Sequence, residues 1–188
     1  EKDLISAFLK DSVKLVVSSW EPSEEQKKLL LETQIVIRTT AVAYDAIALV
    51  INKENEDSLF SYQNVNDLFA GKITDWQNIN PNSKLGKIVT VFDNIKSANI
   101  RYFKELFKLD DKLPEGFYAV KSNAEVVDYV SKNKGALGLV SVNWICDHRD
   151  STSRAFSEKI KTVAVSHPYL NPGVYSMPDQ GSIYDKSY

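Results

Sequence analysis

Short apolar runs alternate with amphipathic helical stretches along most of the 188 residues of this chain. The runs typical of β-strands lie at residues 13–17, 35–37, 46–51, 88–92, 117–120 and 136–140. Apolar residues at helical spacing occupy residues 4–9, 24–31, 64–70, 97–108 and 122–132. Because strands that alternate with helices of about ten residues build βαβ units, the pattern predicts an α/β fold with a mostly parallel sheet.

The composition argues against several classes of protein. Hydrophobic residues make up 43% and charged residues 26%, as in an ordinary globular domain rather than a disordered or disulfide-rich chain. The formal net charge is −2, without the basic excess that a nucleic-acid-binding domain usually shows. No apolar run approaches the roughly 20 residues that span a bilayer. We therefore expect a folded domain that has no nucleic-acid partner.

Motifs for catalysis and metal binding are missing from the sequence. It contains no G-x-S-x-G elbow, no H-E-x-x-H pair and no Walker loop. The two histidines, His148 and His167, fall in polar stretches, and the single Cys146 is expected to be a buried, unreactive thiol. We expect no enzyme activity, no metal and no cofactor.

One segment has the pattern of an anion site. The apolar run 88–92 is followed by a polar loop and then by a helix with Ser97 at the N-cap position. The first backbone N–H groups of a helix lack intrahelical acceptors, and the helix dipole favours negative charge there. A helix that begins at the carboxyl end of a parallel strand is therefore suited to bind an anion. On the pattern alone, simple capping of the helix by Ser97 is the favoured explanation of the segment.

Three other segments carry a resemblance to a known family. Asp45–Asn52 reads D-A-I-A-L-V-I-N, Phe69–Trp76 reads F-A-G-K-I-T-D-W, and Gly135–Val140 reads G-A-L-G-L-V. In order and spacing they resemble motifs of the phosphate-type substrate-binding proteins of bacterial ABC transporters. The Pro-Asp-Gln-Gly segment at residues 178–181 is similar to the crossover between lobes in a Bacteroidetes-like branch.

The resemblance implies a type II periplasmic binding-protein fold, two-lobed with mostly parallel sheets and with the first lobe partial. It implies a partial first lobe and hinge strand at residues 1–51, a second lobe at 52–137, and a return hinge strand and crossover at 138–188. It also implies that the chain is incomplete at both ends. The expected location is periplasmic or at the cell envelope, and the expected protein partner is an ABC transporter permease. Contact with the membrane would come only through a possible N-terminal lipid anchor outside this chain.

The same resemblance implies a small anion as ligand, most simply phosphate. The residues expected to bind it are Ser97, Ala98, Asn99, Ser19, Trp20 and Asp45. Two positions depart from the family, since Trp20 and Asp93 stand where its members have arginine. In addition, Ala98-Asn99 stands where the family has Gly-Thr. Loss of a bidentate donor and of a glycine that allows close backbone approach should weaken tight phosphate binding, and Lys96 or Arg101 could compensate.

Two alternatives remain open at the level of the sequence. The same fold could bind a different small organic ligand, with Trp20 stacking on it. It could also serve as a scaffold or signalling module that binds no small molecule and acts through a partner protein.

Overall fold

The computed structural model describes residues 2–18, 21–94, 97–110, 112–147, 149–167 and 173–188. Two compact units divide the chain: unit 1 is Glu1–Ala43 and unit 2 is Tyr44–Tyr188. No helix in the described part of the chain is long and apolar enough to cross a bilayer.

Unit 1 consists of two helices, α1 (Lys2–Leu9) and α2 (Glu24–Glu32). Helix α2 begins as its sequence predicts, because Ser23 and Gln26 form a reciprocal capping box. The Oγ of Ser23 accepts from the Gln26 N–H at 3.2 Å, and the Ser23 N–H donates to the Gln26 side chain at 2.8 Å. Both predicted helices of this unit are confirmed.

The two strands predicted in unit 1 are wrong. Residues 13–17 and 35–37 have no strand conformation. Leu15, Val17 and Val36 are instead 82%, 83% and 71% exposed. A strand forms only where another strand satisfies its backbone groups, and the described residues of unit 1 contain none. An apolar run is therefore not enough to form a strand here.

Unit 2 contains two sheets. Their strands are β1 (Ile47–Asn52), β2 (Leu59–Phe60), β3 (Val89–Phe92), β4 (Phe117–Ala119), β5 (Ala136–Ser141), β6 (Ile160–Thr162), β7 (Ala164–Ser166) and β8 (Tyr175–Ser176). The helices are α3 (Tyr62–Phe69), α4 (Ala98–Phe107), α5 (Asn123–Lys132), α6 (Ser151–Ser157) and α7 (Gln180–Tyr184), with single 3₁₀ turns at Trp76–Asn78 and Val142–Trp144.

The larger sheet has the strand order β4-β3-β5-β1-β6, and the smaller one has the order β2-β7-β8. Strand β3 runs parallel to both β4 and β5, as the βαβ pattern predicts, and β2 runs parallel to β7. Strand β1 runs antiparallel to β5 and β6, and β7 runs antiparallel to β8. The α/β class is confirmed, and the antiparallel β1 is a feature that the spacing of apolar runs could not show.

Strand β1 is buried on both faces, as its continuous apolar run predicts. Leu49 and Ile51 point to one face, where they join a core formed with α3 and α4. Ala48 and Val50 point to the other face and pack with the valines of α5. The alternation along one strand therefore assigns α4 and α5 to opposite faces of the sheet.

Trp76 anchors the turn after α3 to the centre of the larger sheet. Its side chain is fully buried, and its indole N–H donates to the Gly135 carbonyl at 3.0 Å. The preceding Gly71 has φ of +73°, which ends α3 in the left-handed conformation that glycine adopts without strain. The turn from Gly71 to Trp76 therefore has a structural role, which is to hold the start of β5 in place.

The chain after residue 165 contains more structure than its proline and glycine content indicates. Strand β8 pairs with β7, and helix α7 is closed by a capping box between Asp179 and Ser182. The Tyr188 hydroxyl donates to the Ile47 carbonyl at 3.0 Å, and burial raises the pKa of this phenol. The last residues therefore return to the beginning of β1.

Replacement of Gly138 by alanine should destabilise unit 2 by about 1–3 kcal/mol, because the site is overpacked. A Cβ at this position would lie 2.7 Å from Val50 Cγ2, 2.8 Å from Val126 Cγ1 and 2.9 Å from Val130 Cγ2. Urea unfolding of Gly138→Ala measures the loss. In a Val50→Ala background, Gly138→Ala should cost less unfolding free energy, because one of the colliding methyl groups is absent. Strictly additive effects of the two substitutions would contradict this explanation.

Cys146 should react slowly with iodoacetamide. Its Sγ–H donates to the Pro178 carbonyl at 3.1 Å, and burial, with a smaller effect of the Asp179 charge, raises the pKa of the thiol. Less thiolate is then present at pH 8 than in an unfolded chain. We expect alkylation of the native protein to be slower than that of the urea-unfolded protein, with a pH profile displaced upward. Equal rates would show that the thiol is not protected.

Candidate functional site

One edge of the larger sheet collects the polar residues of interest. Because β3, β4 and β5 are mutually parallel, their carboxyl ends meet at this edge. Strand β1 runs in the opposite direction and therefore begins there. Ligands of open α/β sheets bind beyond the carboxyl ends of the strands, so the topology makes this edge the candidate site.

The amino end of α4 lies at this edge. Ser97, only 5% exposed, caps the helix, and its Oγ accepts from the Asn99 N–H at 3.1 Å. Ile100 and Phe103 anchor the helix in the core, which keeps its first turn directed at the edge. Since the Ser97 oxygen already accepts a hydrogen bond, its own hydrogen can be donated to a ligand. Helix capping and anion binding are alternative explanations of the sequence pattern, but in the structure Ser97 can do both.

Ala98 and Asn99 occupy the first turn of α4. Ala98 has no polar side-chain atom, so it can contribute only its backbone N–H to a bound anion. Asn99 has a carboxamide that can donate two hydrogen bonds. Their role in binding, and that of Ser97, stays a prediction.

Asp45 lies two residues before the start of β1, at the same edge. Its Oδ1 accepts from the Ala46 N–H at 2.8 Å, and its Oδ2 accepts from the Ser141 hydroxyl. The strand register pairs Ser141 with Ile47, whose side chain packs on the same face as α4. The Asp45 carboxylate and the start of α4 are thus on one face and at one edge of the sheet.

Asp93 follows β3 directly and brings a second carboxylate to this edge. Its Oδ1 is buried and accepts no hydrogen bond within the described part of the chain. A buried carboxylate oxygen without a donor is energetically unfavourable. The sequence position of Asp93 indicates a charge that repels an anion, and the structure adds that no described residue donates a hydrogen bond to this oxygen.

Two of the predicted binding residues, Ser19 and Trp20, lie outside the described residues. The structure places Asp45, and Ser141, which the sequence analysis missed, on the face of the sheet that packs against α4, at the edge where α4 begins with Ser97, Ala98 and Asn99. A usable signal existed, because Ser141 is the first polar residue after the apolar run 136–140. Polar residues at the carboxyl end of a strand in an α/β sheet are candidates for a site.

No group of His, Cys, Asp and Glu side chains within the described ranges is arranged to hold a metal ion. The geometry instead combines hydroxyl, amide and helix N–H donors with two carboxylates. Such an arrangement can bind an anion through neutral donors, while its carboxylates require that the ligand supply a hydrogen.

Comparison with known proteins finds relatives of this chain. The chain is 25% identical over 184 residues to the phosphate-binding protein PstS of Staphylococcus aureus, covering 96% of the chain and 52% of that relative. The chain therefore spans about half the length of the curated relatives it matches.

Two solved structures share the fold. A possible phosphate binding protein from Planctomyces limnophilus aligns with a TM-score of 0.72 at 19% identity, covering 98% of this chain and 63% of that one. An ABC-type phosphate transport receptor from Vibrio cholerae aligns with a TM-score of 0.66 at 20% identity, covering 87% and 61%. The expected type II periplasmic binding-protein fold is confirmed. The model of the PBP superfamily domain matches residues 2–188, and the chain belongs to this family.

Proposed function

We propose that the protein containing this chain is an extracytoplasmic solute-binding protein that captures phosphate for an ABC transporter. The observation that carries the proposal is that the capped amino end of α4 and the Asp45 carboxylate lie on the same face of the sheet and at the same ends of its strands. The phosphate-binding relatives support the choice of ligand.

Phosphate suits this combination of groups. The first turn of α4 and the Ser97 hydroxyl supply donors for the charged oxygens. At neutral pH phosphate keeps at least one hydrogen, which it can donate to a carboxylate such as Asp45. Sulfate carries no hydrogen at this pH and would meet the carboxylate with repulsion alone. The site should therefore prefer phosphate to sulfate.

The remaining parts of the proposal follow from this role. The protein acts by binding and release and catalyses no reaction, and an ABC transporter permease receives the ligand. The expected periplasmic or cell-envelope location fits a receptor of this kind. Residues 1–51 would belong to the first lobe, 52–137 to the second, and 138–188 to the return hinge strand and crossover.

A second ligand class is favoured by one observation, the buried Asp93 Oδ1 that accepts no hydrogen bond from any of the described residues. An organic anion with an amine or hydroxyl group, such as an aminoalkyl phosphonate, could supply the missing hydrogen bond. A larger stabilisation by such a compound than by phosphate would select this alternative.

Ser97→Ala should weaken phosphate binding about tenfold or more, because one hydrogen bond to a charged ligand is lost. Isothermal titration calorimetry of the full chain measures the dissociation constant. The matched control is Ser61→Ala, which removes the capping hydroxyl of α3. Both variants should lose similar stability, on the order of 1 kcal/mol. Equal affinities in the two variants would place Ser97 outside the site.

Asp45→Asn should reduce the preference for phosphate over sulfate by about tenfold, because the carboxylate that repels sulfate is replaced by a neutral amide. Competition of each anion with labelled phosphate measures the ratio. Asp128→Asn, which changes a charge on the surface of α5, serves as the control. An unchanged ratio in Asp45→Asn would mean that Asp45 does not face the ligand.

A further inference from the structure

The hydrogen bond between Ser141 and Asp45 joins the last residue of β5 to a residue two positions before β1. We infer that Ser141 is a positioning residue, which orients the Asp45 carboxylate to accept the hydrogen of the bound anion and so sets the selectivity of the site. This inference rests on the proposed function and assigns a role to a residue that does not itself need to touch the ligand.

The backbone around this bond is well defined. Strands β1 and β5 pair continuously from Ile51 with Leu137 to Ile47 with Ser141. The Val142 N–H then donates to the Ala46 carbonyl at 2.9 Å, which extends the pairing by one residue. Asp45 is the next residue, so the strand pairing holds its backbone in reach of the Ser141 side chain.

Two donors hold the carboxylate, one on each oxygen. The Ala46 N–H donates to Oδ1 and the Ser141 hydroxyl donates to Oδ2. Rotation of a carboxylate about its terminal bond is otherwise broad, so a single donor leaves the orientation of the group poorly determined. With both donors in place, the lone pairs that remain on each oxygen have fixed directions. Because Asp45 is exposed, these lone pairs are accessible to a ligand.

The groups around Asp45 explain why a fixed orientation of its carboxylate would matter for binding. The same edge carries the Ser97 cap and a buried Asp93 oxygen that accepts no hydrogen bond from the part of the chain that the structure describes. An anion at the start of α4 must keep its charged oxygens on the helix and turn its protonated oxygen to a carboxylate. If Asp45 could rotate freely, it would present an oxygen to the charged part of the ligand as often as to the hydrogen. Ser141 removes that freedom.

A purely structural role is the competing explanation, in which the bond only ties β1 to β5. The two explanations differ in what they predict about Asp45. If the bond only holds β1 and β5 together, loss of the Ser141 hydroxyl lowers stability, and it affects binding in the same way whichever residue is at position 45. A positioning residue acts through the carboxylate and has no effect on selectivity once the carboxylate is gone.

The experiment measures phosphate and sulfate affinities of the full chain by calorimetry for four variants. They are Ser141→Ala, Ser141→Thr, Asp45→Asn, and the double variant Ser141→Ala with Asp45→Asn. Ser131→Ala is the control, because its hydroxyl donates only to the Asp128 carbonyl on α5. Urea unfolding of every variant separates loss of stability from loss of binding.

We expect Ser141→Ala to weaken phosphate binding about three- to tenfold. It should also lower the ratio of phosphate affinity to sulfate affinity, as Asp45→Asn does. Ser141→Thr keeps the hydroxyl and should restore both values. In the Asp45→Asn background, Ser141→Ala should have no further effect on the ratio.

Three results would overturn the inference. The first is an unchanged phosphate-to-sulfate ratio in Ser141→Ala, and the second is an equal change in the Asp45→Asn background. The third is a Ser131→Ala variant that behaves like Ser141→Ala. Absence of phosphate binding by the unaltered protein is a separate result, which overturns the proposed function and this inference together.

Discussion

The antiparallel pairing of β1 with β5 is the interaction on which the rest of unit 2 depends. It places Asp45 beside Ser141 although the two residues are 96 positions apart in the chain. Both strands are almost fully buried, and each contributes alternate side chains to the two cores of the sheet. The pairing also reverses the direction of β1 relative to β3 and β5. The beginning of one strand therefore meets the ends of the others, and that meeting produces the candidate site.

Both faces of this strand pair are closely packed, one against α5 and the other against α3 and α4. Gly138 lets the valines of α5 and β1 approach the backbone of β5, where a Cβ would lie within 3 Å of three methyl groups. On the opposite face, Ile100 and Phe103 hold α4 against the sheet. The rigid attachment of α4 matters because a helix terminus binds an anion well only if its N–H groups are already oriented.

The electrostatics of the site differ from what two arginines would produce. The sequence has Trp20 and Asp93 where the family it resembles has arginines, and the described edge of unit 2 carries neutral donors and carboxylates. Neutral donors suffice for a buried anion when they are preorganised, and the carboxylates then select for a ligand that carries a hydrogen. Such a site gives up part of its Coulombic attraction but discriminates between anions of similar size and shape.

Local pattern determined most of the secondary structure of unit 2 and the position of the α4 cap. The continuous apolar run of β1, the helical spacing of α5 and the serine before α4 each act over a few residues, so their effects can be read directly from the sequence. The failed strands at residues 13–17 and 35–37 show the limit, since a strand needs a partner that local pattern does not supply. The direction of β1, the return of Tyr188 to Ile47 and the contact of Ser141 with Asp45 were decided by the tertiary structure alone. The physical reason is that hydrogen bonds between residues far apart in the chain depend on strand order and register, which emerge only when the whole sheet is assembled.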